Sequence, residues 1–178
     1  GKWRLDGLTV AAAWSSGNAM PAAKNGGASI QSSPAAAGLA AGGSTTAASG
    51  HAGAVNSTYE YDGTNWSAGG NLNTLRTGVR GNGTATASLA VGGIGPPAAT
   101  YWNLNESYNG SAWAVETVYP AATNQAGAAG IETAMVVSGG YISTNPAPSR
   151  RTTLTNEWDG SSWTSATARP YGSSGVGG

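Results

Sequence analysis

Few residues of this chain have side chains that could carry out catalysis. Its 178 residues include one histidine, His51, eight acidic residues and no cysteine. The lack of cysteine excludes a thiolate metal site, a thiol nucleophile and a disulfide framework. A lone histidine cannot form a cluster of imidazole metal ligands, and a Ser-His-Asp triad would need an aspartate with no other role. We predict that His51 is a loop residue, and we expect no metal and no cofactor.

The tryptophans and glycines recur with a period of about fifty residues. Trp14, Trp66, Trp113 and Trp163 are 52, 47 and 50 residues apart. A turn dipeptide lies four residues before each of the last three, and a glycine pair lies 26 to 28 residues after each of the first three. The turn dipeptides are Asp62-Gly63, Asn109-Gly110 and Asp159-Gly160, and the glycine pairs are Gly42-Gly43, Gly92-Gly93 and Gly139-Gly140. We predict that these residues are structural and that the four tryptophans lie in the core.

Each repeat predicts a four-stranded antiparallel meander. A first strand rich in Gly and Ala is followed by a second strand that ends at the glycine pair. The third strand has alternating residues, as in 58–61, and the fourth carries the tryptophan. Asp-Gly and Asn-Gly both accept the positive φ of a tight hairpin between the third and fourth strands. Since no segment shows the 3.6-residue apolar period of a helix, the predicted fold is all-β.

This order of features resembles the Kelch repeat, in which a glycine pair closes the second strand, an aromatic residue lies on the third and a tryptophan on the fourth. The resemblance implies blades of a β-propeller: complete blades at 22–73, 74–120 and 121–169, a partial blade with third and fourth strands at 1–21, and the start of another at 170–178. Closed propellers have roughly four to eight blades. We therefore expect either a segment of a longer chain or a homo-oligomer that completes the ring.

The Ala/Gly/Thr-rich repeats also resemble those in tail-fibre and other surface proteins of marine phages. The matching segments are Glu-Tyr-Asp-Gly-Thr-Asn-Trp at 60–66 and Asn-Leu-Asn-Thr-Leu-Arg at 71–76. This resemblance implies a virion-surface or extracellular location, with other virion or fibre subunits as partners. The Asp-box of sialidases is an alternative, but its Asp and Gly are separated by one residue, whereas here they are adjacent.

The repeat accounts for six of the eight acidic residues. These are Asp6, Asp62 and Asp159 in turn dipeptides, and Glu60, Glu106 and Glu157 on the third strand just before the turn. Only Glu116 and Glu132 remain, in different strand regions, whereas glycoside hydrolysis needs two carboxylates that converge on one bond. We expect a non-enzymatic protein, with a propeller glycosidase as the less favoured alternative.

Charge and hydropathy exclude two classes of partner. The formal net charge is zero, and the basic residues form no run or stripe of the kind that binds nucleic acid. No apolar stretch approaches the roughly 20 residues that span a bilayer. We expect neither nucleic-acid binding nor membrane insertion.

The connections between second and third strands, at 44–57, 94–105 and 141–154, hold residues that the repeat does not explain. These residues are His51, Tyr101, Trp102, Tyr141, Arg150 and Arg151. Variable loops on a rigid scaffold commonly carry binding sites, and aromatic rings stack on sugars while Arg can donate hydrogen bonds to hydroxyls. We predict a site for a glycan or a surface-protein receptor on this loop face. The alternative is that Tyr101 and Trp102 pack the loop or a subunit contact in a purely structural assembly protein.

Overall fold

The structure is a computed structural model that describes residues 17–31, 37–46, 51–144 and 150–174. In these ranges the regular structure consists of β-strands and one 3₁₀ turn at His51–Gly53. The strands form antiparallel sheets, so the all-β prediction is confirmed. Within those same ranges there is no helix with the length and apolar character needed to cross a membrane. Trp14, Asp6 and residues 145–149 lie outside the described residues.

Sheet I contains the first four strands in chain order. They are β1 (Ala28–Gln31), β2 (Gly38–Ala41), β3 (Thr58–Tyr61) and β4 (Trp66–Gly69). The turn between β3 and β4 is closed by the Asp62 carboxylate, whose Oδ1 accepts hydrogen bonds from the backbone N–H groups of Thr64 (2.8 Å) and Asn65 (2.7 Å). The predicted turn residue therefore has a structural role.

Sheet II repeats this meander and adds a small hairpin in the connection between its second and third strands. The strands are β5 (Arg80–Gly83), β6 (Ser88–Val91), β7 (Ile94–Gly95), β8 (Thr100–Tyr101), β9 (Asn105–Tyr108) and β10 (Trp113–Val115). The sheet order is β5-β6-β9-β10, and β7 pairs with β8 separately. Asn109 closes the last hairpin as Asp62 does in sheet I.

Sheet III has the order β12-β13-β15-β16, and β11 pairs with β14 beside it. The strands are β11 (Thr123–Asn124), β12 (Gly127–Ile131), β13 (Ala134–Ser138), β14 (Tyr141–Ile142), β15 (Thr155–Trp158) and β16 (Trp163–Ser165). All three sheets thus show the four antiparallel strands predicted for each repeat.

The sheets pack face to face, and the repeat aromatics lie between them. Trp113 of sheet II is buried against sheet I, and its Nε1 donates a 2.9 Å hydrogen bond to Oγ1 of Thr58. Tyr119, which follows sheet II, is buried against sheet III and packs edge-on against Trp163, with ring centroids 4.8 Å apart. Trp66 and Trp163 are half-buried in the described structure, whereas Trp113 has the core position predicted for it.

The first strands of the three sheets lie next to one another. β1 contacts β5, and β5 contacts β12. Asn82 of β5 donates a long hydrogen bond (3.5 Å) to the carbonyl of Ala128 on β12. The first strands of the three meanders thus lie side by side, and the tryptophan strand is at the opposite edge of each sheet.

Candidate functional site

The glycine pairs at the ends of the second strands anchor the loops that carry the candidate residues. Both glycines of every pair have positive φ, between 65° and 111°. Each second glycine donates its N–H to a carbonyl of the link that leads towards the next sheet. These hydrogen bonds join Gly43 to Arg76 (2.9 Å), Gly93 to Thr123 (2.8 Å) and Gly140 to Ser173 (2.7 Å). The left-handed backbone explains why glycine recurs here, and the hydrogen bonds tie the start of each loop to the link that follows its sheet.

The loop of sheet II is a strained hairpin that presents Tyr101. β7 and β8 are joined by a turn in which Ala98 and Ala99 both have positive φ, 57° and 56°. Alanine in this conformation costs roughly 1–2 kcal/mol per residue. Such local strain persists only where the surrounding structure holds it, and it is more common at functional sites than elsewhere.

Tyr101 is paired with an arginine from the neighbouring repeat. The guanidinium carbon of Arg150, in the loop of sheet III, lies 5.9 Å from the centroid of the Tyr101 ring. Arg150 is exposed and Tyr101 is half-buried. This distance is at the outer limit of a cation–π contact. The packing of sheet III on sheet II thus brings together two of the predicted site residues.

Tyr141 and Arg151 form a second pair of the same kind within the loop of sheet III. The Arg151 guanidinium carbon lies 5.8 Å from the Tyr141 ring centroid, and Arg151 Nε donates to Oγ of Ser174 at 3.4 Å. A hydrogen bond from Ser174 and the positive charge of Arg151 lower the pKa of the Tyr141 hydroxyl. Four of the six predicted residues therefore form two Tyr–Arg pairs.

His51 and Trp102 have different surroundings. His51 begins the 3₁₀ turn, which contacts β7, and its carbonyl accepts a hydrogen bond from Ala54 N–H (3.0 Å). Trp102 is half-buried against the β7–β8 hairpin, where a Cβ on Gly95 would lie 3.0 Å from Trp102 Nε1. That Nε1 is buried without a hydrogen-bond partner. The indole of Trp102 thus supports the hairpin, which matches the packing role weighed for it from the sequence.

A cleft lies beside the strands that pair with those of the two tyrosines. Its volume is about 370 Å³, and its walls include Asn25, Thr77, Ile94, Asn124 and Gln125. Ile94 pairs with Tyr101 across β7 and β8, and Asn124 pairs with Tyr141 across β11 and β14. Oδ1 of Asn124 is buried and accepts no hydrogen bond from the protein. The strand register thus links the cleft to both tyrosines, although neither tyrosine lines it.

The acidic residues of the described structure are mostly engaged by neighbouring groups. Asp62 and Asp159 close hairpins, and the hydrogen bonds that they accept from backbone N–H groups lower the pKa of both carboxyls. Glu60 accepts a hydrogen bond from the Tyr108 hydroxyl, and Glu116 accepts one from Ser107 (2.6 Å). Among residues 17–31, 37–46, 51–144 and 150–174, no three His, Asp or Glu side chains cluster as metal ligands would.

Glu106 differs from the other third-strand glutamates with which the sequence pattern grouped it. Glu60 and Glu157 precede their turn Asp by two residues, but Glu106 precedes Asn109 by three. Because successive side chains of a strand point to opposite faces, Glu106 points to the other side of its sheet. There it forms an ion pair with Arg76. The spacing of three residues between Glu106 and Asn109, instead of two, was the feature of the sequence that could have indicated this buried ion pair.

The fold has known relatives among solved structures. Matching chains number 128, and one of them, described as the structure of YjhT, has a TM-score of 0.65 and 10% sequence identity to this chain. The alignment covers 85% of this chain and 48% of that one, so the chain spans about half the length of this structural neighbour. At this identity the likeness concerns the fold alone. No protein-family model and no curated protein sequence matches the chain.

Proposed function

We propose that this chain is a non-enzymatic binding module, displayed outside a cell or on a virus particle, that contacts a glycan or a surface protein through its loop face. The observation that carries the proposal is the pairing of Tyr101 with Arg150 and of Tyr141 with Arg151. The virion location rests on the likeness of the 60–66 and 71–76 segments to phage fibre repeats. Other virion or fibre subunits are then further partners.

The architecture proposed for the module is an arc of Kelch-like propeller blades. The side-by-side first strands and the outer tryptophan strands support it, since the blades of a propeller are arranged in this way around an axis. The backbone contacts from each glycine pair to the next link also recur in all three repeats. Closure of the ring would need further repeats from a longer chain or from other copies.

The surface chemistry of the loop face suits a hydroxyl-rich ligand. A tyrosine ring offers a flat apolar area to the C–H face of a sugar, and it loses little conformational freedom on binding. Arg150 is exposed beside such a ring and provides several N–H donors in a fixed planar arrangement. Together these groups can bind both the apolar face and the hydroxyls of a saccharide.

Two observations support a non-enzymatic role over a propeller glycosidase. The carboxylates of Asp62, Asp159 and Glu60 are held by hydrogen bonds that shape turns and sheet contacts. Glu106 is completely buried in its ion pair and out of reach of a substrate. No pair of carboxylates in the described part of the chain thus lies free on the loop face, where a glycosidic bond would have to be flanked on both sides.

A purely structural assembly protein is the second candidate. The observation that favours it is the exposure of large apolar side chains on sheet III, with Ile131 57% and Val136 40% exposed. The Trp102 indole packs against Gly95 of its own hairpin, as expected if the loops only stabilise the fold. In this case the loop face would contact other subunits and would bind no saccharide.

A glycan array separates the two candidates. We expect the wild-type protein to retain a defined set of saccharides, and Tyr101→Ala with Arg150→Ala to abolish that binding. Tyr101→Phe is the matched control, because it keeps the ring and should keep the binding. Trp102→Ala should weaken binding through the hairpin. An array that retains no saccharide, or retention unchanged in the double variant, would leave the structural candidate in place. Turnover of a sugar by the pure protein would overturn the non-enzymatic proposal.

A further inference from the structure

The two ends of each sheet carry different parts of the chain. At one end, which we call the loop end, the second and fourth strands end and the first and third strands begin, so it carries the loops and the links between sheets. The opposite end, the hairpin end, carries the tight turns that follow the first and third strands. At the loop end the first residue of each first strand pairs with the last residue of the second strand: Ala28 with Ala41, Arg80 with Val91 and Gly127 with Ser138.

The basic residues that follow residue 16 are gathered at the loop end. They lie in links, in the loop of sheet III or at the start of a first strand, and they are Lys24, Arg76, Arg80, Arg150, Arg151 and Arg169. They form no run in the sequence, because most of them come from different repeats. The meander brings all six to the same end of the sheets.

Most of the acidic residues lie at the hairpin end. Asp62 and Asp159 are in turns after third strands, and Glu132 is in the turn after the first strand of sheet III. Glu60 and Glu157 lie in the half of the third strand next to the turn. In the described part of the chain no basic residue lies at this end, and the segments 32–36, 47–50, 145–149 and 175–178 contain no charged residue. The charges of residues 17–178 are therefore separated between the two ends.

Two acidic residues lie at the loop end, and they do not balance its positive charge. Glu106 forms its buried ion pair with Arg76, so these two charges cancel. Glu116 follows β10, the outer strand of sheet II, and its Oε1 accepts a 2.6 Å hydrogen bond from Ser107. Against this one carboxylate the loop end presents five further basic residues, Lys24, Arg80, Arg150, Arg151 and Arg169.

Two of these basic residues, Arg150 and Arg151, are exposed and have a fixed backbone. The N–H of Ile142 donates a 2.9 Å hydrogen bond to the carbonyl of Arg150, and Arg151 forms a β-bridge with Tyr141. Both contacts attach the arginines to β14, which is itself paired with β11. A ligand therefore meets two guanidinium groups whose backbone is already ordered, which reduces the entropy lost on binding.

Arg169 adds a third guanidinium at the base of the same loop. Its backbone N–H donates a 2.9 Å hydrogen bond to the carbonyl of Thr153, and Leu72 and Tyr119 make the equivalent contact in sheets I and II. The third repeat thus has a cation where the other two have a buried apolar residue. A Cβ on Gly139 would lie 2.6 Å from Nη1 of Arg169, so this guanidinium lies against the glycine pair at which the loop begins.

We propose that the loop end binds an acidic saccharide, one that carries carboxylate or sulfate groups, and that Arg150 and Arg151 contact these groups while Tyr101 and Tyr141 contact the sugar rings. This inference rests on the proposed function and names its class of ligand. A guanidinium donates two parallel hydrogen bonds to an oxyanion, a geometry that an uncharged hydroxyl cannot match. An anionic ligand also offsets the mutual repulsion of the cations at this end, whereas a neutral saccharide does not.

Calorimetric titration of the full chain with matched pairs of saccharides tests the proposal. Dextran sulfate and dextran share one backbone, as do an oligogalacturonate and its methyl ester. We expect at least one charged member to bind roughly tenfold or more tightly than its neutral partner, the contribution of one or more charge-assisted hydrogen bonds. The pair that shows the difference identifies sulfate or carboxylate as the group bound. Raising the salt concentration from about 50 mM to about 500 mM should weaken binding of the charged member, because salt screens exposed charges.

Variants locate the binding at the loop end. Arg150→Gln with Arg151→Gln should remove the preference for the charged saccharide. Ala87→Glu with Ala134→Glu is the matched control, because it lowers the net charge by the same amount at exposed positions of the hairpin end and should leave affinity unchanged. Far-ultraviolet circular dichroism checks folding, and Arg150→Gln alone replaces the double arginine variant if the latter does not fold.

Several results would overturn the proposal. They are equal affinity for the charged and neutral members of both pairs, a preference that survives the arginine substitutions, and an equal loss in the control variant. Tighter binding of a single-stranded oligonucleotide than of either acidic saccharide would also overturn it. Neutral saccharides bound as tightly as acidic ones, with binding lost in Tyr101→Ala and Tyr141→Ala, would refute the acidic class and leave saccharide binding by the loop face intact. Binding of no saccharide at all would refute both.

Discussion

Nη2 of Arg76 lies 3.0 Å from Oε1 of Glu106, and neither side chain is exposed to solvent. Burial lowers the pKa of Arg76 to about 10, and the negative charge of Glu106 opposes this change. The other carboxylate oxygen of Glu106 accepts two 2.8 Å hydrogen bonds from the backbone N–H and side-chain amide of Asn73. The pair thus ties the link between sheets I and II to the third strand of sheet II.

Removing one member of this ion pair should lower the free energy of unfolding substantially. Glu106→Ala leaves a buried guanidinium without its counter-charge, and such a change costs about 3–5 kcal/mol in the free energy of unfolding. The double variant Arg76→Met with Glu106→Leu should recover most of that loss, because apolar residues can replace a buried ion pair. Urea denaturation measures both, with the exposed Glu157→Gln as the control. A Glu106→Ala variant as stable as the wild type would show that the pair contributes nothing.

A hydrogen bond between sheets gives a second prediction. Trp113→Phe removes the indole N–H that binds Thr58 and leaves a buried hydroxyl without its donor, which should cost about 1–3 kcal/mol. Trp163→Phe should cost less, since Trp163 is half-buried and water can replace its 3.2 Å bond to the Thr117 carbonyl. Thermal unfolding measures the stability lost in each variant. If Trp163→Phe lost as much stability as Trp113→Phe, or more, the buried position of Trp113 against sheet I would be contradicted.

The main features of the fold were predictable because the repeat residues act locally. Glycines with positive φ end the second strands, and Asp or Asn side chains close the hairpins, so spacing alone placed most of the strands. Glu106 lies on the third strand just before the turn, as the repeat predicted, but a single-residue shift places its side chain on the other face of that strand. Its partner Arg76 is distant in sequence, and only the packing of the link beneath sheet II brings the two together.

The candidate site was predictable only in part, for the same reason. The sequence indicated which loops carry unexplained residues, but it could not indicate that Arg150 in one repeat would lie over Tyr101 in another. Nor could it separate Tyr101 from Trp102, which are adjacent in sequence. Tyr101 is the last residue of β8 and joins a Tyr–Arg pair, whereas the Trp102 indole packs against the hairpin at Gly95.

The environment of Lys24 predicts a pH-dependent stability. Its Nζ donates a 2.6 Å hydrogen bond to the carbonyl of Ser57 and lies 4.4 Å from the centroid of the Tyr59 ring. Burial lowers the pKa of Lys24 from 10.5 to about 8. The unfolded chain therefore binds more protons than the folded chain between these two values, and this residue's contribution to stability rises with pH across that window.

The matched variant Lys24→Met isolates this effect from the titration of the tyrosines. The difference in free energy of unfolding between wild type and variant should shift in favour of the wild type as the pH rises above about 8. Urea titrations at a series of pH values provide the measurement. Curves for the two proteins that run parallel across this window would mean that the ammonium group is not desolvated on folding.

The ionisation of Tyr141 reports directly on the loop face. Its pKa is lowered by the hydrogen bond from Ser174 and by the charge of Arg151. Arg151→Met should therefore raise the Tyr141 pKa, whereas Arg150→Met should leave it unchanged, because Arg150 faces Tyr101. NMR titration of the protein labelled at the tyrosine ζ-carbon resolves this single hydroxyl. An unchanged Tyr141 pKa in Arg151→Met would show that the second pair does not form in solution.

The most direct test of loop-face binding is calorimetric titration of the saccharide that the array retains most strongly. Replacing both Tyr101 and Tyr141 with Ala should weaken its binding by roughly a hundredfold, the effect of losing two contact residues of ordinary strength. Replacing both with Phe should leave affinity nearly unchanged, since the rings remain. Equal affinity of the wild type and the double Ala variant would contradict the account, because the saccharide would then be bound somewhere other than on the Tyr–Arg surface.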